Sequence, residues 1–329
     1  VKRKTLKYTS IEVCAGAGGQ ALGLENAGFD HVELVEYDPW ACQTLRLNRP
    51  EWNVHEGDLL HYSYKGDQEV DLLAGGVPCP PFSVAGKQLG ADDERDLFPQ
   101  MVKLTKQLEP RGVMIENVRG LLGKAFDTYR QSLVKKFDRL GYRGEFKLLN
   151  ARDYGVSQLR PRVVFVALAE DEWEYFKWPE PHPEDAPTVG EVLHKEMAVN
   201  GWLGADLWRE RANSIAPTLV GGSRKHGGPD LGPTRARLAW AELGVNGKLL
   251  AKEPPARDFE GDPCLTVKMA ALLQGFPSDW EFAGKKTQSY RQVGNAFPPP
   301  VAEAVGTQIK KAFAAADRAQ SRARKSPAA

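Results

Sequence analysis

The sequence reads as an α/β protein, a doubly wound open sheet joined to a second, smaller and less regular part. Three observations predict it. Apolar, strand-like runs alternate with segments of helical period through the first half of the chain. The first run ends in the glycine turn Gly16-Ala-Gly-Gly19, which opens directly into a helical segment. Near residue 169 the composition shifts, and Trp173, Trp178, Pro179, Pro181, Pro183 and Pro187 crowd into a short span.

The elements follow in order. Ser10 to Val13 reads as the first strand, and Gln20 to Asn26 starts a helix carrying Leu22 and Leu24. A helix N-terminus after a glycine turn favours an anionic or nucleotide-like ligand, and at this point a nicotinamide cofactor fits as well as any other. Phe29 to Glu36 reads as the second strand. An acid at its end is where this architecture holds a ribose diol. Asp38 reads as the N-cap of a helix over Pro39–Leu47, with proline in the first turn. A short third strand lies near Val54, followed by Gly57-Asp58-Leu59, and Val70–Ala74 reads as the fourth.

Past the fourth strand, residues 82–96 form a long polar, glycine-spaced loop of the kind used as a lid or binding segment. Phe98, Met101, Leu104 and Leu108 fall at helical spacing. Gly112–Val118 is a fifth strand. Phe126, Tyr129, Leu133, Phe137 and Leu140 make a helix stripe. Phe146–Leu149 and Val163–Leu168 are two further strands, separated by Gln158-Leu-Arg-Pro-Arg162. Regularity returns at Leu265–Phe276. Val301, Ala304, Val305, Ile309 and Phe313 then form one apolar face of a last helix, whose simplest partner is the first domain.

Composition sets the outer bounds. The chain has 329 residues, 42% hydrophobic and 26% charged, as in a soluble globular protein of one large or two smaller domains. The net charge of +1 rules out a generally basic protein, but the charge is uneven. Residues 207–237 carry six basic side chains against Glu210 and Asp230, a local patch suited to a polyanion. The last twenty residues are also basic and read as a solvated tail. The four cysteines, Cys14, Cys42, Cys79 and Cys264, match no zinc spacing and no disulfide framework, so a reducing cytoplasm is expected. No apolar run is long enough to span a membrane and no export leader opens the sequence.

Cys79 has the most constrained surroundings. It follows the fourth strand in Gly75-Gly-Val-Pro-Cys-Pro-Pro81, where three prolines stiffen the turn. A thiol held at the C-terminal edge of such a sheet sits where ligands bind. A buried cysteine acting as a small hydrophobe is the competing reading.

Taken in order, Gly16-Ala-Gly-Gly19, Glu36, Asp58, Pro78-Cys79, Glu116-Asn117-Val118, Gln158-Leu-Arg160-Pro-Arg162 and Gly294-Asn295 resemble the motifs of the bacterial cytosine-C5 DNA methyltransferases of restriction-modification systems. The resemblance runs from about residue 10 to 313 and is weakest over 170–262. It implies a Rossmann-like, S-adenosylmethionine-dependent catalytic domain over 8–168 plus 287–316. A target recognition domain would occupy 169–286, with its core at about 200–262, leaving 317–329 as a basic, disordered tail. The implied partner is duplex DNA, bound by a monomer in the bacterial cytoplasm. A cognate restriction endonuclease would act on the same site without direct contact.

The resemblance also assigns roles. Cys79 would attack cytosine C6, and Glu116 would hold a proton toward N3. Arg160 and Arg162, pointing the same way from an extended segment, would orient that acid and contact the base. S-adenosylmethionine would lie among Cys14, Ala15, Gly16, Gly18, Gly19, Glu36, Tyr37, Asp58, Leu59, Gly76, Pro78, Asn295 and Ala296. The target cytosine must leave the helix to be reached. DNA would then be met by Ser83, Lys87, Gln88 and Arg95 of the long loop, by Asn117 and Gln158, and by Thr218, Gly221, Gly222, Arg224, Lys225, Arg235 and Arg237 of the recognition domain. The arginines suit a short, guanine-containing site.

Glu12, Cys14, Pro80, Lys268 and Ala296 depart from the usual pattern, where Asp, Phe, Gln, Arg and Ser are frequent. None of these touches Cys79 or Glu116. Three alternatives remain in view: a cytosine-C5 tRNA methyltransferase, a nicotinamide-dependent oxidoreductase resting on the glycine turn and Glu36, and a non-catalytic DNA-binding relative.

Overall fold

The computed structural model describes residues 8–78, 96–221 and 229–324. Seven strands form one sheet: β1 (Tyr8–Val13), β2 (Phe29–Glu36), β3 (Val54–Glu56), β4 (Leu72–Gly75), β5 (Gly112–Val118), β6 (Tyr142–Asn150) and β7 (Pro161–Ala169). Their spatial order is β3-β2-β1-β4-β5-β7-β6. The first five strands pair in parallel, while β7 runs antiparallel to both β5 and β6. The order turns round between β1 and β4, and a crevice opens there at the strands' C-terminal ends.

The central strands are buried on both faces, which is why Leu72–Ala74, Val113–Ile115 and Val163–Leu168 are apolar without interruption. Alternate residues point to opposite faces. Leu73, Val113, Ile115 and Phe165 cluster with Phe98, Met101 and Leu104 of α3 (Phe98–Leu108) and with Leu133 and Phe137 of α4 (Asp127–Asp138). Leu72, Ala74, Met114, Val164, Val166 and Leu168 pack on the other face. There they meet Leu24 of α1 (Gly19–Ala27) and Val301, Val305, Ile309 and Phe313 of the last helix. Between β2 and β3 lies α2 (Pro39–Asn48), capped by the Asp38 carboxylate, which accepts from Trp40 N and Ala41 N.

After β7 come α5 (Glu170–Trp173), α6 (Val189–Ala198), α7 (Ala205–Arg211), α8 (Thr234–Glu242), α9 (Val267–Leu273), α10 (Lys286–Asn295) and α11 (Pro299–Ala323). Thr188 opens α6 with a reciprocal capping box to Glu191. Among the described residues of 170–286 there is no strand, only an isolated bridge between Gln158 and Ala216. The region owes its order to buried tryptophans, Trp202, Trp208 and Trp240. Its apolar cluster runs on without a break into Leu22, Leu45 and Trp52 of the first domain. Among the described residues, no helix is long and apolar enough to cross a membrane.

Trp173, Phe176 and Trp178, partly buried, pack on the cluster that contains Val301, Ile309 and Phe313 of α11. The tail expected from 317 is helical as far as Ala323. Asp317 anchors it, accepting from Tyr8 Oη at 2.7 Å and from Arg111 Nη2 at 2.8 Å. Arg111 also lies over the Phe313 ring, 4.6 Å from its centroid.

Candidate active site

A cavity of about 740 Å³ opens at the switch point between β1 and β4. The backbone beyond β1 is left-handed at Cys14 (φ 52°), Gly16 (φ 54°) and Gly18 (φ 85°), which turns the chain sharply into α1. Gly19 allows the turn to pass under the other wall, since a Cβ there would stand 2.2 Å from Phe297 O. Glu36 clamps the turn to the end of β2. One carboxylate oxygen accepts from Gly16 N at 2.7 Å, and the other from Tyr37 N at 2.9 Å and Asp38 N at 2.8 Å. Burial pushes the Glu36 pKa up, against the pull of those three amides.

Twelve of the thirteen residues expected around a cofactor line this cavity: Cys14, Ala15, Gly16, Gly19, Glu36, Tyr37, Asp58, Leu59, Gly76, Pro78, Asn295 and Ala296. Gly18 does not. It is the N-cap of α1, and its Cα faces the side chains of Leu45 and Trp280, so its part is to make the turn. Asp58 holds the short turn after β3 by accepting from Leu60 N at 2.9 Å. Burial, together with the charges of Glu36, Asp58 and Glu12, raises the Cys14 pKa far above the ordinary thiol range.

The cavity also has lining that motif reading missed. Glu12, 1% exposed, sits on its floor, and burial and the Glu36 charge hold its carboxyl well above the usual range. Gln288, Arg291 and Gln292 line the far wall beside the expected Asn295. They are spaced three, one and three apart on α10, which makes a polar stripe on one helical face. That spacing was available in the sequence as a signal.

Glu116 closes the inner end of the cavity. In the β5–β7 ladder Glu116 pairs with Val164 and Val118 pairs with Arg162, so Glu116 and Arg162 are diagonal neighbours on one face. Arg162 Nε lies 2.9 Å from Glu116 Oε1. Burial nonetheless dominates and raises the Glu116 pKa, while Arg162 and Arg160 pull it down. Gly76 approaches closely, and a Cβ on it would stand 3.3 Å from Glu116 Oε2. The site therefore holds a carboxyl that keeps its proton more readily than a free one, fixed by a cation, at the edge that leads through Pro78 to residue 79.

Several expected contacts take other partners. Arg160 is 0% exposed and does not hold the acid. Its Nη1 donates to Leu219 O at 2.7 Å, and its Nη2 to Gly294 O at 2.7 Å and Ala296 O at 2.9 Å. A buried guanidinium turns to the acceptors around it, and Arg160 acts on Glu116 through its charge, which pulls the acid's pKa down. Gln158 is also 0% exposed and spends its amide inside the protein, so it cannot touch DNA. Asn117 is buried too. Its Nδ2 donates to Val77 O at 2.9 Å and its Oδ1 accepts from Val118 N at 2.8 Å, which fixes the chain just before Pro78.

Beyond β7, the Thr218 hydroxyl donates to Leu159 O rather than standing free for a phosphate. Gly221 is pressed against the terminal segment, since a Cβ there would stand 2.4 Å from Asn295 Oδ1. Arg235 and Arg237 lie on α8, Arg235 exposed and Arg237 half-buried. Two residues apart on a helix, they point to different sides. Cys79, Ser83, Lys87, Gln88, Arg95, Gly222, Arg224 and Lys225 lie outside the described residues.

A glycine-turned cavity with an acid at the end of β2, beside a cation-held carboxyl at the end of β5, fits more than one kind of nucleotide-cofactor enzyme. Comparison with known proteins decides among them. Residues 8–311 match the family described as C-5 cytosine-specific DNA methylase. The chain belongs to that family. Among its curated relatives, the Type II methyltransferase M.NgoMIV of Neisseria gonorrhoeae is 56% identical over 315 residues, covering 94% of this chain and 99% of that protein. M.NaeI of Lentzea aerocolonigenes is 55% identical over 309 residues, covering 92% of this chain and 75% of that protein. Among solved structures, a prophage-encoded DNA modification methyltransferase (E. coli) superposes with a TM-score of 0.66 at 22% identity, covering 93% of this chain and 99% of that one. DNMT2 of Spodoptera frugiperda superposes with a TM-score of 0.61 at 18% identity, covering 93% and 99%. At those identities the two structures speak for the fold. The cytosine-C5 methylase fold is thus the α/β sheet described above, with β7 inserted antiparallel.

Proposed function

We propose that this methylase transfers a methyl group from S-adenosylmethionine to C5 of a cytosine flipped out of a short specific site in duplex DNA. The observation that carries the reading is the Arg162-held carboxyl of Glu116 on the cavity that Pro78, the residue before Cys79 in the sequence, also lines.

The residues present fit the cofactor. The cavity volume of about 740 Å³ is in the range for such a ligand. The Glu36 carboxylate suits the ribose hydroxyls, Asp58 the adenine amino group, and the turn at Gly16 and Gly19 the methionine end. Asn295 and Ala296 close the other side. When bound, S-adenosylmethionine supplies an electrophilic methyl group to C5.

Cytosine C5 is too weak a nucleophile to take that group unaided. A Cys79–C6 bond moves the ring's π electrons toward C5 and leaves charge at N3. Glu116, its pKa raised by burial, gives its proton to N3 and so neutralises that charge. Arg162 fixes the carboxyl's direction. After transfer a base removes the C5 proton, the Cys79–C6 bond breaks, and Glu116 recovers its proton. Flipping the base costs roughly a few kcal/mol, which contacts to the flanking duplex offset.

The relatives named Type II methyltransferases support a place in a type II restriction-modification system. In this reading the protein works as a monomer in the bacterial cytoplasm. A cognate endonuclease would share the site without touching this chain. The test is a bisulfite map of unmethylated plasmid DNA incubated with the protein and S-adenosylmethionine. Methylation confined to one cytosine of one short guanine-containing motif is expected. An unmodified map, alongside modified tRNA in a parallel reaction, overturns the reading in favour of RNA.

A further inference from the structure

We propose that Gln274 and Gln158 are positioning residues that tie the recognition segment 216–221 to the cofactor wall at Asn295–Ala296, so that filling the cavity orders that segment. The proposal rests on the cofactor reading above and on a relay of buried amides that none of the motifs explains.

The relay has fixed ends. Leu219 N–H donates to Gln158 Oε1 at 2.9 Å. Because that backbone group can only donate, the Gln158 amide must present its oxygen there. Its Nε2 then faces the other way, donating to Gln274 Oε1 at 2.6 Å and to Leu273 O at 3.2 Å. This leaves Gln274 Nε2 for Ala296 O, to which it donates. Ala296 O can only accept, so both ends force the same orientation on both amides. Neither amide can flip without breaking a buried hydrogen bond, and an unpaired buried polar group is costly. Gln158 and Gln274 are both fully buried, so water cannot substitute.

Backbone packing tightens the same joint. A Cβ on Gly294 would stand 2.3 Å from Gly221 N. Segments that close behave as one body. Asn295 and Ala296 line the cavity, and Leu219 follows Thr218 in the recognition region. A ligand that presses on the first pair therefore restrains the second, and by linkage the effect is reciprocal. Gln274→Glu keeps the size and the acceptor offered to Gln158 but removes the donor to Ala296 O. Gln274→Met removes both bonds.

The experiment is hydrogen exchange of the full chain with and without saturating S-adenosylhomocysteine, beside calorimetric titration of the same ligand. In the wild-type protein the ligand should slow exchange at Leu219 and Val220 by about threefold or more, a local opening effect. In both variants the ligand should still bind, and the slowing should disappear. Wild-type binding without slowing at these amides, or equal slowing in a folded variant, overturns the proposal. An absence of binding heat with the wild-type protein strikes the cofactor reading itself, which keeps the two failures apart. The wild-type arm decides alone should either variant melt early.

Discussion

Glu116 and Arg162 meet on neighbouring antiparallel strands, carboxylate to guanidinium at 2.9 Å, yet burial keeps the acid's pKa above the ordinary value of 4.5. A carboxyl raised in the folded state stabilises the fold fully below its unfolded pKa, and that contribution is lost as pH rises through the folded value. Glu116→Gln removes the titration. Wild-type stability measured against this variant should therefore fall as pH rises from 4.5 toward 8 in urea unfolding. A flat difference over that window contradicts the raised pKa. The same variant should lose about 10²–10⁴-fold in kcat, the usual worth of a placed general acid.

The thiol makes a separate prediction. Cys79→Ser should abolish turnover while S-adenosylhomocysteine and DNA still bind. Duplexes carrying 5-fluorocytosine at the target should form a species that survives a denaturing gel with the wild-type protein and S-adenosylmethionine, and none with Cys79→Ser. A trapped species in the variant would remove Cys79 from the mechanism.

Glu36 should matter for binding rather than for chemistry. Glu36→Gln leaves one oxygen for the three amides it now serves and removes the charge offered to a ribose. Hydrogen bonds to charged groups are worth about 1.5–3 kcal/mol, so the Kd for S-adenosylhomocysteine should rise about 10- to 100-fold in calorimetry. An unchanged Kd would move the ribose site elsewhere.

Asp317 tests the reach of the last helix. Asp317→Ala removes the acceptor of Tyr8 and of one Arg111 nitrogen, and leaves Arg111 paired with Glu172 at 2.9 Å. The expected loss is about 1–2 kcal/mol of stability, with cofactor affinity unchanged. If the melting point does not move, the segment beyond Phe313 contributes nothing to the fold.

Much of this arrangement was legible in the sequence because backbone chemistry is local. Asp38-Pro39 announces a helix start, and α2 begins there. The run Gly112–Val118 is a strand end to end. The apolar stripe at 301–313 packs on α1 and the sheet, as its orphaned face required. Burial was less legible. Gln158 and Asn117 are polar and sit in motifs, so they look available to DNA, but only the packed structure reveals that they serve backbone groups. Arg160 stands in a motif beside Arg162, but only the packed structure shows its guanidinium donating to backbone carbonyls of Leu219, Gly294 and Ala296. Glu12 passed as a mild departure from pattern because nothing local shows that it reaches the cavity floor.

The pairing of α1 with α11 has a consequence for how the molecule is made. A Cβ on Gly23 would stand 2.3 Å from Pro299 O, and Tyr8 bonds Asp317 across 309 residues of chain. During synthesis, the apolar side of α1 emerges long before anything exists to cover it. The packing of α1 on α11 can therefore form only after α11 has been made and has left the exit tunnel.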